Sequence, residues 1–196
     1  MKKRIAVIGC LLTLLALAGC GSGNGGETTA PETTAASNGI ESSLALLTTV
    51  WESWPEESKF AVAGGDSEAY VMDAPGAFSV ENPEALDGTL AFPASEAEQI
   101  DDAASLLHMM NANNFTAGAF RLKDAGNAET VAEAIRSNLD SRQWLCGFPE
   151  EYLIASVDNY LVCVFGTADN VSGFQEQLAS AYENVQVISQ GPVSAG

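Results

Sequence analysis

The sequence is poor in cations. Eight Lys and Arg stand against 26 Asp and Glu in 196 residues. Such an imbalance repels nucleic-acid phosphates and anionic lipid headgroups, which excludes DNA, RNA and polybasic membrane binding as functions. Histidine occurs once, as His108, within Leu106-Leu107-His108-Met109-Met110. Ser-His-Asp or Cys-His catalysis would have to use that one ring, and no nucleophile motif lies beside it. Gly-x-Ser-x-Gly and Ser-x-x-Lys do not occur. Zinc spacings, phosphate-binding loops and a calcium loop of alternating acids are also missing. What is present is apolar: 46% of the residues, enough for a core, which excludes wholesale disorder.

The N-terminus carries the strongest signal. Lys2, Lys3 and Arg4 precede an apolar run from Ile5 to Leu17. Those thirteen residues are too few to span a bilayer core of ~30 Å, but they suit the apolar region of a secretory signal. The run ends in Leu17-Ala18-Gly19-Cys20. Small residues before a cysteine at this place resemble the bacterial lipobox. The resemblance implies a signal peptide over 1–19, cleavage before Cys20 and a diacylglyceryl group on the Cys20 thiol. Two or more acyl chains hold a protein durably on a membrane. The expected location is therefore the extracytoplasmic face of the cell membrane. The mature chain keeps five cations against all 26 acids, a net charge of −21.

Residues 20–39 form a tether in this reading. GSGNGGETTAPETTAASNG has nothing to bury and predicts disorder, with a root-mean-square span of roughly 24 Å. Its Gly21-x-Gly23-x-x-Gly26 follows no strand and opens no helix, so it is no dinucleotide site. One domain is expected over 40–190, with a tail over 191–196. Ile40, Leu44, Leu47, Trp51 and Trp54 make a helical apolar stripe, with Asn38 and Glu41 as capping pair and Pro55 as stop. Tryptophans at helical spacing belong in a core before they serve as a ligand platform.

Residues 58–93 are broken by Gly64-Gly65, Pro75, Pro83 and Pro93, leaving short extended pieces such as 68–72. Residues 100–110 fit a helix or a strand turning at 111–114. Further on, a strand is expected over 116–123, a helix from Asn127 to 141, strands over 151–157 and 160–166 around the Asp158-Asn159 turn, a helix over 171–183 and a strand over 185–188. That order is β-α-β-β-α-β. The expected fold class is α+β: an antiparallel sheet with helices on one face, a ferredoxin-like split βαβ C-terminal half, and an N-terminal helix before it.

Three stretches, AGAFRLKDAGNAETVAEAI (117–135), GFPEEY (147–152) and DNYLVCVFGTAD (158–169), are similar to a family of bacterial lipoproteins found mainly in Gram-positive anaerobes. The family shares a domain of unknown function, and the resemblance spans roughly 51–188. Where its pattern has tyrosine before the proline and glycine before Asn-Tyr, this chain has Phe148 and Asp158. The resemblance favours a strand ending at Met109-Met110-Asn111. It brings no catalytic residue. Some members are encoded beside membrane O-acyltransferases, which implies an accessory role in modifying a surface polymer.

Other chemistry is sparse. His108 with Met109 and Met110 offers soft copper ligands, but neighbours on a strand face opposite ways. Asp101-Asp102, Glu56-Glu57 and Glu150-Glu151 are expected to be solvated rather than paired for glycosidase work. Arg121 and Lys123 suit an anion contact or cross-strand pairing with acids. Cys146 and Cys163 are a candidate disulfide across sixteen intervening residues, worth on the order of 3 kcal/mol. A mid-strand cysteine also serves as a small buried apolar group. No cofactor or metal is expected. The leading expectation is a non-catalytic lipoprotein that assists an envelope protein such as a membrane O-acyltransferase. The alternatives are an extracytoplasmic enzyme acting on a surface polymer and a small-solute or metal-binding lipoprotein.

Overall fold

The computed structural model describes residues 39–145 and 147–194. The chain divides between Thr34 and Ala35, and everything described belongs to the second part. Cys20, Asn38 and Cys146 therefore lie outside the described residues. In chain order the elements are α1 (Ser43–Glu52), β1 (Val62–Gly64), β2 (Val71–Met72), β3 (Gly76–Ala77), α2 (Pro83–Leu90), β4 (Ile100–His108), β5 (Phe115–Leu122), α3 (Ala128–Ser141), β6 (Glu151–Val157), β7 (Tyr160–Gly166), α4 (Ala168–Ala181) and β8 (Gln186–Pro192). No helix among the described residues is long and apolar enough to cross a membrane.

All strands join one antiparallel sheet ordered β2-β1-β4-β5-β7-β6-β8, with β3 paired to β4. The fold class is α+β. The ambiguous stretch 100–110 is strand β4, which turns into β5 and pairs with it from Ile100 and Leu122 to Leu107 and Thr116. Asp158 takes φ +53 in the β6–β7 turn, the left-handed geometry a tight hairpin needs.

The helices lie on both faces, not one. Leu46, Leu47 and Val50 of α1 and Val171, Phe174 and Leu178 of α4 pack on Ala117, Leu153, Ala155 and Val164. Leu86 and Leu90 of α2 and Val131, Ile135 and Leu139 of α3 pack on Phe120, Ile154, Leu161 and Cys163. The strand order explains the difference from a ferredoxin-like half. β5 reaches β6 by stepping over β7, and β7 reaches β8 by stepping over β6 in the same direction. The two starting strands are antiparallel. Right-handed crossovers that step the same way from opposed strands must fall on opposite faces. In the ferredoxin order the second crossover steps back, and both helices share a face. The signal was in the sequence: Tyr160 to Phe165 is apolar without interruption, and β7 is buried at every residue. One covered face would have produced alternation.

α1 is capped by Ser42, whose hydroxyl accepts from the Ala45 amide, rather than by Asn38. Its first turn is tied to β4: the Asp102 carboxylate accepts from the Ser43 amide at 2.6 Å. Trp51 and Trp54 are core, with ring centroids 5.5 Å apart. β8 runs past the expected 190 boundary, and Val193 after it is buried.

Candidate functional site

The least closed part of the molecule surrounds α2. Asn82 caps this helix by accepting from the Ala85 amide, and Pro83 occupies its first turn. Pro83 thus opens a helix rather than merely breaking the chain, as proline does when its missing N–H falls in the first turn. Ala91 ends it in the left-handed region at φ +57. Arg142 holds the far end. Its guanidinium donates to the Asp87 carbonyl at 2.6 Å and the Gly88 carbonyl at 2.7 Å, and lies 5.6 Å from the centre of the Trp144 ring. The positive charge sits where the helix carbonyls collect partial negative charge. The following loop is held by Asn113, which donates to the Leu145 and Gly147 carbonyls.

Two open cavities flank α2. One, of about 370 Å³, lies towards the β1–β2 edge and is walled by Ala63, Tyr70, Ala85, Leu107, Met109 and Met110 among others. The other, of about 390 Å³, lies towards Trp144 and Leu145. Thr89, Leu107 and Ala112 line both, so the two share a wall and together make up the groove beside α2. Large apolar side chains of its lining stand exposed: Met110 at 80%, Leu145 at 79% and Tyr70 at 60%. Water-facing apolar area gathered at one place marks a binding surface. A polar cleft with Asp66, Glu68 and Glu81 adjoins the first cavity. The Asp66 carboxylate accepts from the Ser79, Glu68 and Ala69 amides, which hold it below the usual carboxylate range.

His108 lies at the groove with one ring nitrogen engaged. Its Nδ1 accepts from the Met110 amide at 3.1 Å and the Asn111 amide at 3.3 Å, and its ring stacks on Phe60. Those two bonds engage Nδ1 and close the β4–β5 turn. Among the described residues no three His, Cys, Asp or Glu side chains converge as metal ligands do.

Of the paired acids, Glu56, Glu57, Asp101 and Glu150 are solvent-exposed, as the sequence suggested, and several also take a partner. Asp101 pairs with Arg121 at 2.6 Å, Glu56 with Lys59, and Glu150 accepts from the Ala168 amide at the start of α4. Lys123 donates to the Glu98 carbonyl. Arg121 and Lys123 are thus engaged beside the β4–β5 pair, Arg121 with a carboxylate and Lys123 with a carbonyl. Cys163 is a free thiol buried in β7, and burial pushes its pKa up to about 12. It behaves as the small apolar group that its strand position allows.

Arg142 and the groove itself were not found from sequence. Asn82-Pro83 was the available signal for α2; Arg142 has none, because its carbonyl partners lie more than 50 residues away. Comparison with family models, with curated proteins and with solved structures finds no match.

Proposed function

We propose that this protein is a lipid-anchored lipoprotein of the extracytoplasmic face of the cell membrane, acting as a non-catalytic binding module for an envelope protein such as a membrane O-acyltransferase. The observation that carries the reading is Lys2-Lys3-Arg4, the apolar run and Leu17-Ala18-Gly19-Cys20. The apolar groove beside α2 supports a binding role. The tether expected over 20–39 would let the domain search a patch of membrane for its partner.

The test is metabolic labelling with palmitate in a bacterial host that processes lipoproteins. The native chain takes up label and partitions into detergent. Cys20→Ala loses the label and accumulates as precursor or in the medium. A native chain that stays unlabelled in the aqueous phase overturns the anchor. A purified domain that turns over a surface polymer replaces the binding role with an enzymatic one.

A further inference from the structure

The edge of the sheet beside the groove has an unusual charge. From Phe60 to Phe120 the chain contains ten Asp and Glu and neither Lys nor Arg. That stretch supplies β1, β2, β3, α2, β4 and most of the groove wall. The only basic side chain within that stretch is His108, whose Nδ1 is already an acceptor, and Arg142, which lines the second cavity, is engaged with the Asp87 and Gly88 carbonyls.

Among the described residues β2 pairs with β1 on one side only, which leaves an open edge. The Asp73 amide donates to the Val62 carbonyl, and the ladder then runs through Met72 opposite Ala63 and Val71 opposite Gly64. Antiparallel pairs alternate between bonded and non-bonded, so Met72 turns its N–H and C=O away from β1, towards solvent. Its neighbours Tyr70 and Val71 are exposed as well. Tyr70 belongs to the edge and to the groove wall at once. Methionine fills out this surface: Met72 on the edge and Met109 and Met110 in the groove are all the methionines after Met1. Flexible thioethers adapt to varied apolar partners.

From these features we infer that the β2 edge and the adjoining groove dock an extended cationic segment of a partner protein. Its backbone meets Met72, its apolar side chains enter the groove beside α2, and its Lys or Arg side chains reach Glu68 and Glu81. Strand addition gives affinity through main-chain bonds and specificity through alternate side-chain pockets. A second copy of this chain is the wrong occupant, because edge-to-edge pairing would bring Asp66, Glu68 and Asp73 against their own duplicates. This inference rests on the binding-module reading and names the chemistry of its partner.

The experiment measures binding of fluorescent peptides to the full chain in detergent. The first probe alternates lysine and valine over about nine residues, the second has glutamate for lysine, and the third has glycine for valine. The lysine-valine peptide should bind about tenfold more tightly than either control. Met72→Pro removes the outward N–H without touching the β1 ladder, and it should weaken binding about tenfold. Glu68→Lys with Glu81→Lys should do the same, whereas Glu176→Lys on α4 should change affinity less than about twofold. Equal weakening by Glu176→Lys would reduce the effect to bulk charge and overturn the inference. So would equal binding of the glutamate peptide, indifference to Met72→Pro, absence of saturable binding, or a dimer in sedimentation that excludes peptide. Circular dichroism separates misfolded variants from folded ones that do not bind. Cys20 labelling is read independently, so a failed peptide assay beside a labelled Cys20 rejects the edge and leaves the anchor.

Discussion

Strand β7 is buried along all seven of its residues, and β2 is exposed at both of its two. The two strands share a sheet but are held differently. β7 lies between β5 and β6 with α3 on one face and α4 on the other. β2 lies at the margin, fastened through β1, whose end at Gly64 and Gly65 lies backbone to backbone against Gly76 of β3. The centre derives its stability from apolar area removed from water. The margin depends on turn geometry, a few hydrogen bonds and the absence of side chains where backbones touch. A margin held in that way can expose Tyr70, Met72 and Met110 without loss to the core, which is the division of labour expected of a rigid scaffold carrying a binding edge.

The sharpest way to break the comparison is to truncate one large apolar side chain in each region. Phe174 is fully buried against Trp54 and Phe115. Phe174→Ala should cost about 3–5 kcal/mol in urea denaturation, from lost transfer energy plus the cavity left behind. Met72→Ala, with 60% of the residue already exposed, should stay within about 0.5 kcal/mol. Comparable losses at the two sites would mean that the margin is part of the core.

A middle-sized effect tests how the margin is held. A Cβ built on Gly64 would stand 2.1 Å from the Gly76 nitrogen, and one on Gly76 would stand 2.3 Å from the Gly65 nitrogen. These are backbone atoms and cannot swing aside. Gly64→Ala should cost roughly 1–3 kcal/mol by overpacking. Faster amide exchange in β1–β3 than in β5–β7 should accompany the loss. Uniform destabilisation of every strand would show that margin and centre unfold as one unit.

The same contrast decided what could be read from sequence. Strands β6 and β7 fall at 151–157 and 160–166 as their apolar runs indicate. Helix α3 follows Asn127 as its apolar stripe indicates, although the turn before it is closed by Asp124 accepting from the Gly126 amide. Helix α4 starts three residues ahead of its apolar stripe, because the Thr167 hydroxyl accepts from the Asn170 amide and sets the first turn earlier. At the margin, strands of two and three residues have no periodicity to detect; β1 and β3 exist because β4 offers them a partner, and β2 because β1 does. The groove was invisible for a related reason. Its walls come from β1, α2, the β4–β5 turn and the loop after α3, and nothing local in any of them announces the others. The face taken by each helix was legible in principle, since unbroken apolar strands already imply cover on both sides.

The smallest expected effect sharpens the comparison through pH. Asp66 closes the turn after β1 by accepting from the Ser79, Glu68 and Ala69 amides, and the Ser79 bond lowers its pKa most. A carboxylate whose folded pKa is depressed adds stability that is fully present above its unfolded value, about 3.9. That contribution fades as pH falls through the lower folded value, because protonation removes the charge the three N–H groups face. Asp66 is half-buried at the surface, where water still screens the interaction, so the global urea midpoint should move little. The local readout is the Ser79 amide proton in a nuclear magnetic resonance titration. It should shift with an inflection below the ordinary carboxylate range, and the shift should vanish in Asp66→Asn, while amides in β7 stay still. An inflection at or above the ordinary carboxylate range would mean that the three amides do not stabilise the charge. The turn between β1 and β2 would then have to be held by its glycines alone.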